Sequence, residues 1–596
     1  MRKFVILFFS VFVILGFSLD LVILHTSDLH GNILPINYAT NMPSDVGLAK
    51  IATLVKQMKK MYRNVILIDS GDLIQGTPLE YYHARIDNKP IDPMILVMNK
   101  LGYSAWTLGN HEFNYGLDIL NKAISEAQFP ALSANILNEN GEPVFKPYHI
   151  VNVGDIKVGI LGLTTKFIPN WEEPKNIKGL KFEDPIAIAK KYANELRNKV
   201  DVLVVSYHGG LERDPETGEP TEELTGENQG YQLLEEVDGI DVLLLGHQHR
   251  TIATKINGVP VSMPSYWGKY VGKVVLKLEK VDGKWKIVDS SVESVSVKGV
   301  EPDTEVMSLV KPYEGKVQTW LDQPVGYAKG DFWIYDPLFA RLQDNSLIEF
   351  VNKVQMYYSK AKISSTALFN NSIRGWKKGP VTLRDINAVY IYPNTLKIIK
   401  VKGKDIKDAL EKSADYFVYD NYKVSVNKSW VKPKPRHYNY DMWEGISYKI
   451  VLNNPSGERI VDLMFEGKPI EMDKEYEIVL NNYRAGGGGG YLMFKGKPVV
   501  REVMMEVSEL MADYILNNKE IEATVDNNWE TVIKFEYIVK PGDNLWSISK
   551  RLGISMNDLI RWNGIKNPSM LKVGQKLVYY KNYIDTLPPI KEVMGF

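Results

Sequence analysis

Between residues 20 and 275 short apolar runs recur: LDLVILHT, NVILID, SAWTL, KVGILGL, DVLVVSY and DVLLLG. The stretches between them, such as GLAKIATLVKQMKKMY, return to an apolar residue every third or fourth position. Continuous apolar runs suit strands buried on both faces, and the longer spacing suits helices with one buried side. Their alternation predicts an α/β domain with helix-covered sheets. VVLKLEK and WKIVDSSVESVSV predict strands that close this domain, and DTEVMSLVKPYEGKVQTWLDQ predicts a polar-faced connecting helix. Further on, helical patterns (PLFARLQDNSLIEFVNKVQMYY, GKDIKDALEKSADYF) mix with strand patterns (SYKIVLN, EYEIVLNN), which predicts an α+β domain. The expected boundaries are 19–305, a linker helix at 306–325, a second domain at 326–533, a small unit at 536–580 and a tail at 581–596.

The first eighteen residues read differently. Arg2 and Lys3 precede FVILFFSVFVILGF, and Gly16 and Ser18 have small-residue spacing, so residues 1–18 are expected to be an export signal peptide cleaved after Ser18. No later run is apolar and long enough to cross a bilayer, so no stable membrane span is expected after cleavage. The expected location is extracytoplasmic: secreted, periplasmic or wall-associated. At 596 residues the chain exceeds one hydrophobic core. Lys plus Arg and Asp plus Glu are 72 each, so charge offers no argument for a nucleic-acid polymer as partner. There is no cysteine, which excludes disulfides and thiolate ligands and leaves His, Asp, Asn and Glu to hold any metal.

Five of the nine histidines stand in polar motifs directly after the apolar runs. Asp28-Leu29-His30, Gly71-Asp72, Gly109-Asn110-His111-Glu112, His208 in SYHGG, and Gly246-His247-Gln248-His249 each follow a predicted strand. In α/β sheets the carboxyl ends of strands gather along one edge, where ligands bind. Oxygen and imidazole donors without sulfur suit Mn²⁺, Mg²⁺, Co²⁺, Zn²⁺ or Fe²⁺. Seven candidate ligands are too many for one ion, and two ions sharing a carboxylate suit in-line displacement at phosphorus.

D-x-H, GD, GNHE, His before Gly, and GHxH, in this order, resemble the calcineurin-like metallophosphoesterases. More narrowly, residues 20–530 resemble the 5′-nucleotidase and 2′,3′-cyclic-nucleotide 2′-phosphodiesterase/3′-nucleotidase group. That resemblance implies a four-layer αββα sandwich. It also implies that Asp28, His30 and His249 hold one metal ion, that Asn110, His208 and His247 hold a second, and that Asp72 bridges them. His111 would contact the phosphate or protonate the leaving oxygen. Typical 5′-nucleotidases of the group carry Asp where this chain has Asn114. Asn orients the histidine ring without adding charge, and the difference marks the cyclic-phosphodiesterase branch. Glu112 is expected to make a loop or helix N-terminal hydrogen bond. His25 and His149 are expected in the core or at a sheet edge, His83 and His437 at the surface.

In the second domain YIYPNTL and NNYRAGGGGGY resemble segments of the same branch. By that resemblance Tyr392 and Tyr483 sandwich the base, with Asn394 and Arg484 as further contacts to base or ribose. FNNSIRGW departs from the glycine-rich segment of 5′-nucleotidases, which leaves Arg374 without its expected role as a phosphate clamp. The unit YIVKPGDNLWSISKRLGISMNDLIRWNGIKNPSMLKVGQKLVYY reads as β-α-α-β, with Asp543 expected to cap its first helix. It resembles the LysM module, which implies a peptidoglycan or other N-acetylglucosamine glycan as partner. The resulting expectation is an exported two-metal phosphohydrolase acting on nucleotides and cyclic nucleotides. It would open 2′,3′-cyclic phosphates and then remove the 3′-phosphate. A 5′-nucleotidase and an inactive wall-anchored binding protein are the alternatives.

Overall fold

The computed structural model describes residues 18–587, except 171, 173, 223, 370, 373, 374, 393 and 504. The leader and Arg374 therefore lie outside the described residues, as does the end of the tail. The chain forms two compact units that divide at Val317 and Gln318, within the helix Thr304–Leu321.

The first unit contains two six-stranded sheets. In one, the order is Lys284–Ser296, Tyr270–Val281, Ser18–Thr26, Asn64–Asp69, Ala105–Thr107 and Ala131–Leu132. In the other it is Thr251–Ile256, Val259–Pro264, Val242–Leu245, Val202–His208, Ile156–Thr164 and Tyr148–Val153. Alternate residues of the two sheets meet in one core, Leu21, Ile23 and Ile66 from the first with Val158, Val202 and Val242 from the second. The opposite face of the second sheet packs on the helices Pro185–Arg197 and Gly230–Glu236 through Leu203, Val205, Ala189 and Leu233. The helices Leu48–Met61, Pro93–Leu101 and Leu117–Glu126 complete a helix–sheet–sheet–helix sandwich. Each fully buried Val, Leu or Ile contributes about 1.5–3 kcal/mol, so this interior can carry a strained edge.

The second unit is α+β. One five-stranded sheet runs Asp441–Glu444, Ser364–Ala367, Glu475–Asn481, Leu396–Lys402 and Val499–Val503. The other runs Lys468–Pro469, Ile460–Phe465, Ile446–Val451, Trp529–Ile538 and Lys576–Asn582. The last strand belongs to the C-terminal βααβ module, and it pairs antiparallel with Trp529–Ile538 from Val532↔Asn582 to Ile538↔Lys576. The module's own small core is Val539, Leu545, Ile548, Leu559 and Leu577.

The first module helix, Leu545–Leu552, is capped by Asn544, whose side chain accepts from Ser547 N, and not by Asp543. Asp543 instead accepts from Lys540 N at 2.8 Å and from the Tyr537 hydroxyl at 2.7 Å, closing the preceding turn. His83 is also corrected: it is buried in the helix Pro78–Arg85, and burial lowers its pKa. His437 is half-buried and bonds the Tyr416 hydroxyl at 2.7 Å. His25 is a core residue held between Ser262 and Ser70, and His149 lies in the edge strand Tyr148–Val153.

Candidate metal centre

Five parallel-sheet strands end on the polar motifs. Ser18–Thr26 runs into Asp28 and His30, Asn64–Asp69 into Asp72, and Ala105–Thr107 into Asn110 and His111. Val202–His208 ends on His208 itself, and Val242–Leu245 runs into His247 and His249. Parallel pairing within each sheet aligns these carboxyl ends.

The side chains converge. His249 Nε2 lies 3.3 Å from Asp28 Oδ1 and 3.1 Å from His30 Nε2. Asp72 Oδ2 lies 3.2 Å from His208 Nε2 and 3.9 Å from His30 Nε2, so it faces both groups. Asn110 Oδ1 lies 3.1 Å from His208 Nε2 and 2.9 Å from His247 Nδ1. Donor atoms of Asp28, His30 and His249 lie within 4.8 Å of one another, as do those of Asp72, His208 and His247, and those of His30, Asp72 and His111.

Outer hydrogen bonds set which ring nitrogen faces inward. His208 Nδ1 meets the Ser70 carbonyl at 2.6 Å and His30 Nδ1 the Gln75 carbonyl at 3.2 Å. A carbonyl only accepts, so each Nδ1 carries a proton and each Nε2 is the nitrogen turned inward. His247 is turned the other way, with Nε2 on Glu227 Oε1 at 2.9 Å and Nδ1 inward. His249 stacks on Tyr266 with ring centroids 4.8 Å apart.

Backbone strain marks the same residues. Asp28, His30, Asp72, His247 and His249 have φ of 53°, 47°, 59°, 69° and 57°, the left-handed region that costs an L-residue about 1–2 kcal/mol. Such strain persists where the surroundings over-determine it, and it clusters at functional sites.

Electrostatics keeps the carboxylates ionised. Burial alone would raise Asp72, but His208, His111 and His30 hold it well below the usual carboxylate range. Asp28 is likewise held low against burial by His249 and His208. Asp72 and Asp28 raise His208 to about 10 despite its burial, whereas burial lowers His30 to about 4. Glu112 accepts from the amides of Asp72 at 3.0 Å, Leu73 at 2.5 Å and Gly109 at 2.5 Å, so it braces the loops that present Asp72 and Asn110.

His111 Nδ1 meets Asn114 Oδ1 at 2.6 Å, and Asn114 Nδ2 donates to Glu172 Oε2 at 2.6 Å. The sequence reading missed Glu172 and Glu227. Both sit in loops without periodicity, and neither stands in one of the strand-end motifs.

Three families match the chain: calcineurin-like phosphoesterase at residues 21–251, 5′-nucleotidase C-terminal domain at 324–496, and LysM at 537–578. A Haemophilus influenzae 2′,3′-cyclic-nucleotide 2′-phosphodiesterase/3′-nucleotidase is 31% identical over 597 residues, covering 86% of this chain and 88% of that one. This chain belongs to that branch of the 5′-nucleotidase family. As a member it is a metal-dependent phosphoesterase. The Salmonella typhimurium protein of the same description is 29% identical and covers 90% of this phosphoesterase and 93% of its own length. A trifunctional nucleotide phosphoesterase of Bacillus subtilis, YfkN, is 31% identical over 86% of this chain, which spans only 39% of YfkN. Among solved structures, a candidate 5′-nucleotidase from Staphylococcus aureus has a TM-score of 0.79 at 35% identity, covering 86% of this chain and 99% of that one.

The phosphoesterase's donor set fits divalent ions: carboxylate, amide oxygen and imidazole, with inward lone pairs fixed by outer hydrogen bonds. In the second unit Tyr392 is half-buried, with Phe369 and Tyr438 edge-on at 5.5 and 6.4 Å. Tyr483 is half-buried beside Gly488, where a Cβ would lie 2.6 Å from its ring. The Asn394 side chain lies beside the Tyr390 hydroxyl. Arg484 is buried and pairs with Asp441 through two 2.8 Å contacts, donates to the Gly488 carbonyl at 2.6 Å and stacks 4.2 Å over Tyr491. These bonds make Arg484 a brace of the glycine loop.

A further acidic cluster, Asp344, Glu349, Glu444 and Asp526, lies in this unit. Glu349 accepts from Thr524, Lys353 and the Asp526 amide, and Asp344 from the amides of Asn345 and Asn527.

Proposed function

We propose that the protein is an extracytoplasmic phosphohydrolase that uses two divalent ions. It opens nucleoside 2′,3′-cyclic phosphates to 3′-nucleotides and then converts 3′-nucleotides to nucleosides. Its LysM module holds it on an N-acetylglucosamine glycan such as peptidoglycan. The observation that carries this reading is the placement of Asp72 between the Asp28–His30–His249 and His208–His247–Asn110 groups. When bound, a pair of ions so held neutralises phosphoryl charge and activates water.

The chain's own residues do the rest. Asp28 and Asp72 stay anionic, and His30 and His208 turn their Nε2 atoms toward Asp72. His111 donates from Nδ1 to Asn114, which leaves Nε2, 4.0 Å from Asp72 Oδ2, facing the cluster. In the first reaction water oxygen bonds to phosphorus as the P–O2′ bond breaks, and O2′ takes a proton that His111 Nε2 is placed to hold. In the second the P–O3′ bond breaks in the same way. Tyr392 and Tyr483 supply aromatic faces for the base, each stack contributing about 1–3 kcal/mol.

Steady-state rates on 2′,3′-cyclic AMP, 3′-AMP and 5′-AMP test the reading. Metal-stripped protein is reloaded separately with Mn²⁺, Mg²⁺, Co²⁺, Zn²⁺ and Fe²⁺. Turnover of the first two substrates is expected, and turnover of 5′-AMP alone would overturn it. That second reading, a 5′-nucleotidase, is favoured by the likeness to the Staphylococcus aureus protein.

A further inference from the structure

We infer that Glu172 is a positioning residue for the reaction: it fixes which end of the Asn114 amide faces His111, and thereby which nitrogen of His111 faces the phosphate. The inference deepens the function proposed above and rests on His111 acting there.

An asparagine side chain is ambiguous. Its oxygen accepts, its nitrogen donates, and rotation by half a turn exchanges them. With Oδ1 toward His111, Nδ1 of the ring must carry the proton and Nε2 is free to serve a departing oxygen. With Nδ2 toward His111, Nδ1 must accept, and the ring's one proton sits on Nε2 with none held at Nδ1. A local partner has to choose between the two.

Glu172 makes that choice. It is 8% exposed, and as a carboxylate it can only accept. Its Oε2 takes a hydrogen bond from Asn114 Nδ2 at 2.6 Å, and its Oε1 takes one from Asn176 Nδ2 at 2.8 Å. Asn176 Nδ2 also lies 3.3 Å from the Asn114 carbonyl, so the segment after the strand Ile156–Thr164 grips the His111 loop at two points. The Glu172 amide in turn bonds the Ile168 carbonyl at 3.0 Å. The flipped amide would set Asn114 Oδ1 against Glu172 Oε2 at hydrogen-bond distance, two acceptors with no proton between them. The carboxylate of this relay therefore stands one residue further out than in a histidine–aspartate pair, and the amide transmits its preference.

This arrangement predicts a reciprocal exchange. Asn114→Asp places two carboxylates face to face and breaks the relay. Adding Glu172→Gln returns one donor and one acceptor in reversed order: the introduced amide donates to the introduced carboxylate, which also accepts from His111. The single variants and the double variant are assayed on 2′,3′-cyclic AMP, whose alkoxide leaving group needs a proton, and on p-nitrophenyl phosphate, whose leaving group does not. Metal content and melting temperature are followed in parallel.

Asn114→Asp alone is expected to lower kcat on the cyclic nucleotide by about tenfold to a hundredfold, the scale of general-acid assistance, with KM little changed. On p-nitrophenyl phosphate the loss should stay within about twofold, since proton transfer to that leaving group contributes little. The double variant should recover most of the lost kcat. If Asn114→Asp is as active as the parent, or if Glu172→Gln fails to rescue it, Glu172 does not position His111. Equal losses on both substrates would also overturn the inference. The unsubstituted enzyme's nucleotide panel separates the two questions. If only 5′-AMP turns over, the branch reading fails, and the same exchange is then read on 5′-AMP, which also expels an alkoxide.

Discussion

A methyl group at Gly109 would lie 2.4 Å from Asp72 Oδ1 and 2.6 Å from the Asp72 amide nitrogen. Neither can retreat easily, because Asp72 Oδ1 accepts from His111 N at 2.8 Å and the amide is held by Glu112. Gly109→Ala is therefore expected to displace the Asp72 carboxylate and to lower kcat by about 10²-fold, as a 1 Å misplacement can. Metal analysis of the purified variant should show weakened retention. Asp72→Asn keeps the shape and removes the charge. It should abolish nucleotide hydrolysis, by about 10³-fold or more, while binding to insoluble peptidoglycan stays unchanged. Undiminished turnover would contradict a role for Asp72 at the centre. At this scale the candidate ligands were legible, because each stands a few residues past an apolar run beside a glycine. The carboxylates that meet the side chains around them were not. Glu172 and Glu227 reach Asn114 and His247 only through contacts that long loops bring about. His83 was misread because its sequence neighbours are polar, although its helix turns it inward.

At the level of elements, the loop Thr524–Asn528 and the start of the helix Ser346–Ser359 are joined by acid groups. Glu444 is pushed up to about 9 by burial and then by Asp344, Asp526 and Glu349, with Lys353 opposing. Asp344 is pushed up to about 7 by burial and by Glu349. A carboxyl whose folded pKa is raised binds its proton more tightly in the native state than in the unfolded chain, where it titrates near 4. The stabilisation is complete below that value and is lost as pH rises through about 7 and then about 9. The melting temperature of the second unit should therefore fall between about pH 5 and pH 9. Glu444→Gln, which keeps a neutral polar group, should flatten the upper part of that fall in calorimetric scans. Strand and helix identities were largely readable from spacing, but caps were not. Asn544 and Asp543 are neighbours that both offer a side-chain oxygen acceptor, and only the turn geometry assigns the helix to one and the Tyr537 hydroxyl to the other.

For the whole molecule, divalent ions held as proposed at the strained strand ends would stabilise the first unit by mass action, by binding the native state more tightly than the unfolded chain. Exhaustive chelation should lower the melting temperature of that unit and leave the second unit's transition in place, which calorimetry resolves as a shift of one transition alone. The sandwich and the α+β domain were legible in the alternation of runs. The union of the last module with its neighbour was not, because WETVIKFEYIVK runs on without a break and its partner, Lys576–Asn582, lies beyond two helices. Removing residues 537–596 shortens the strand Trp529–Ile538 and exposes the edge that remains at 529–536, so this truncation should lower the melting temperature of the second unit as well as abolish glycan binding. Loss of binding alone would show that the ladder adds nothing to the domain. That ladder also has a mechanical meaning. The module is not a bead on a slack string: it shares a sheet with the nucleotidase domain. Under the proposed glycan attachment, a tug on the module would load the paired backbones from Val532 to Ile538 in shear, and the domain would be drawn along with the module.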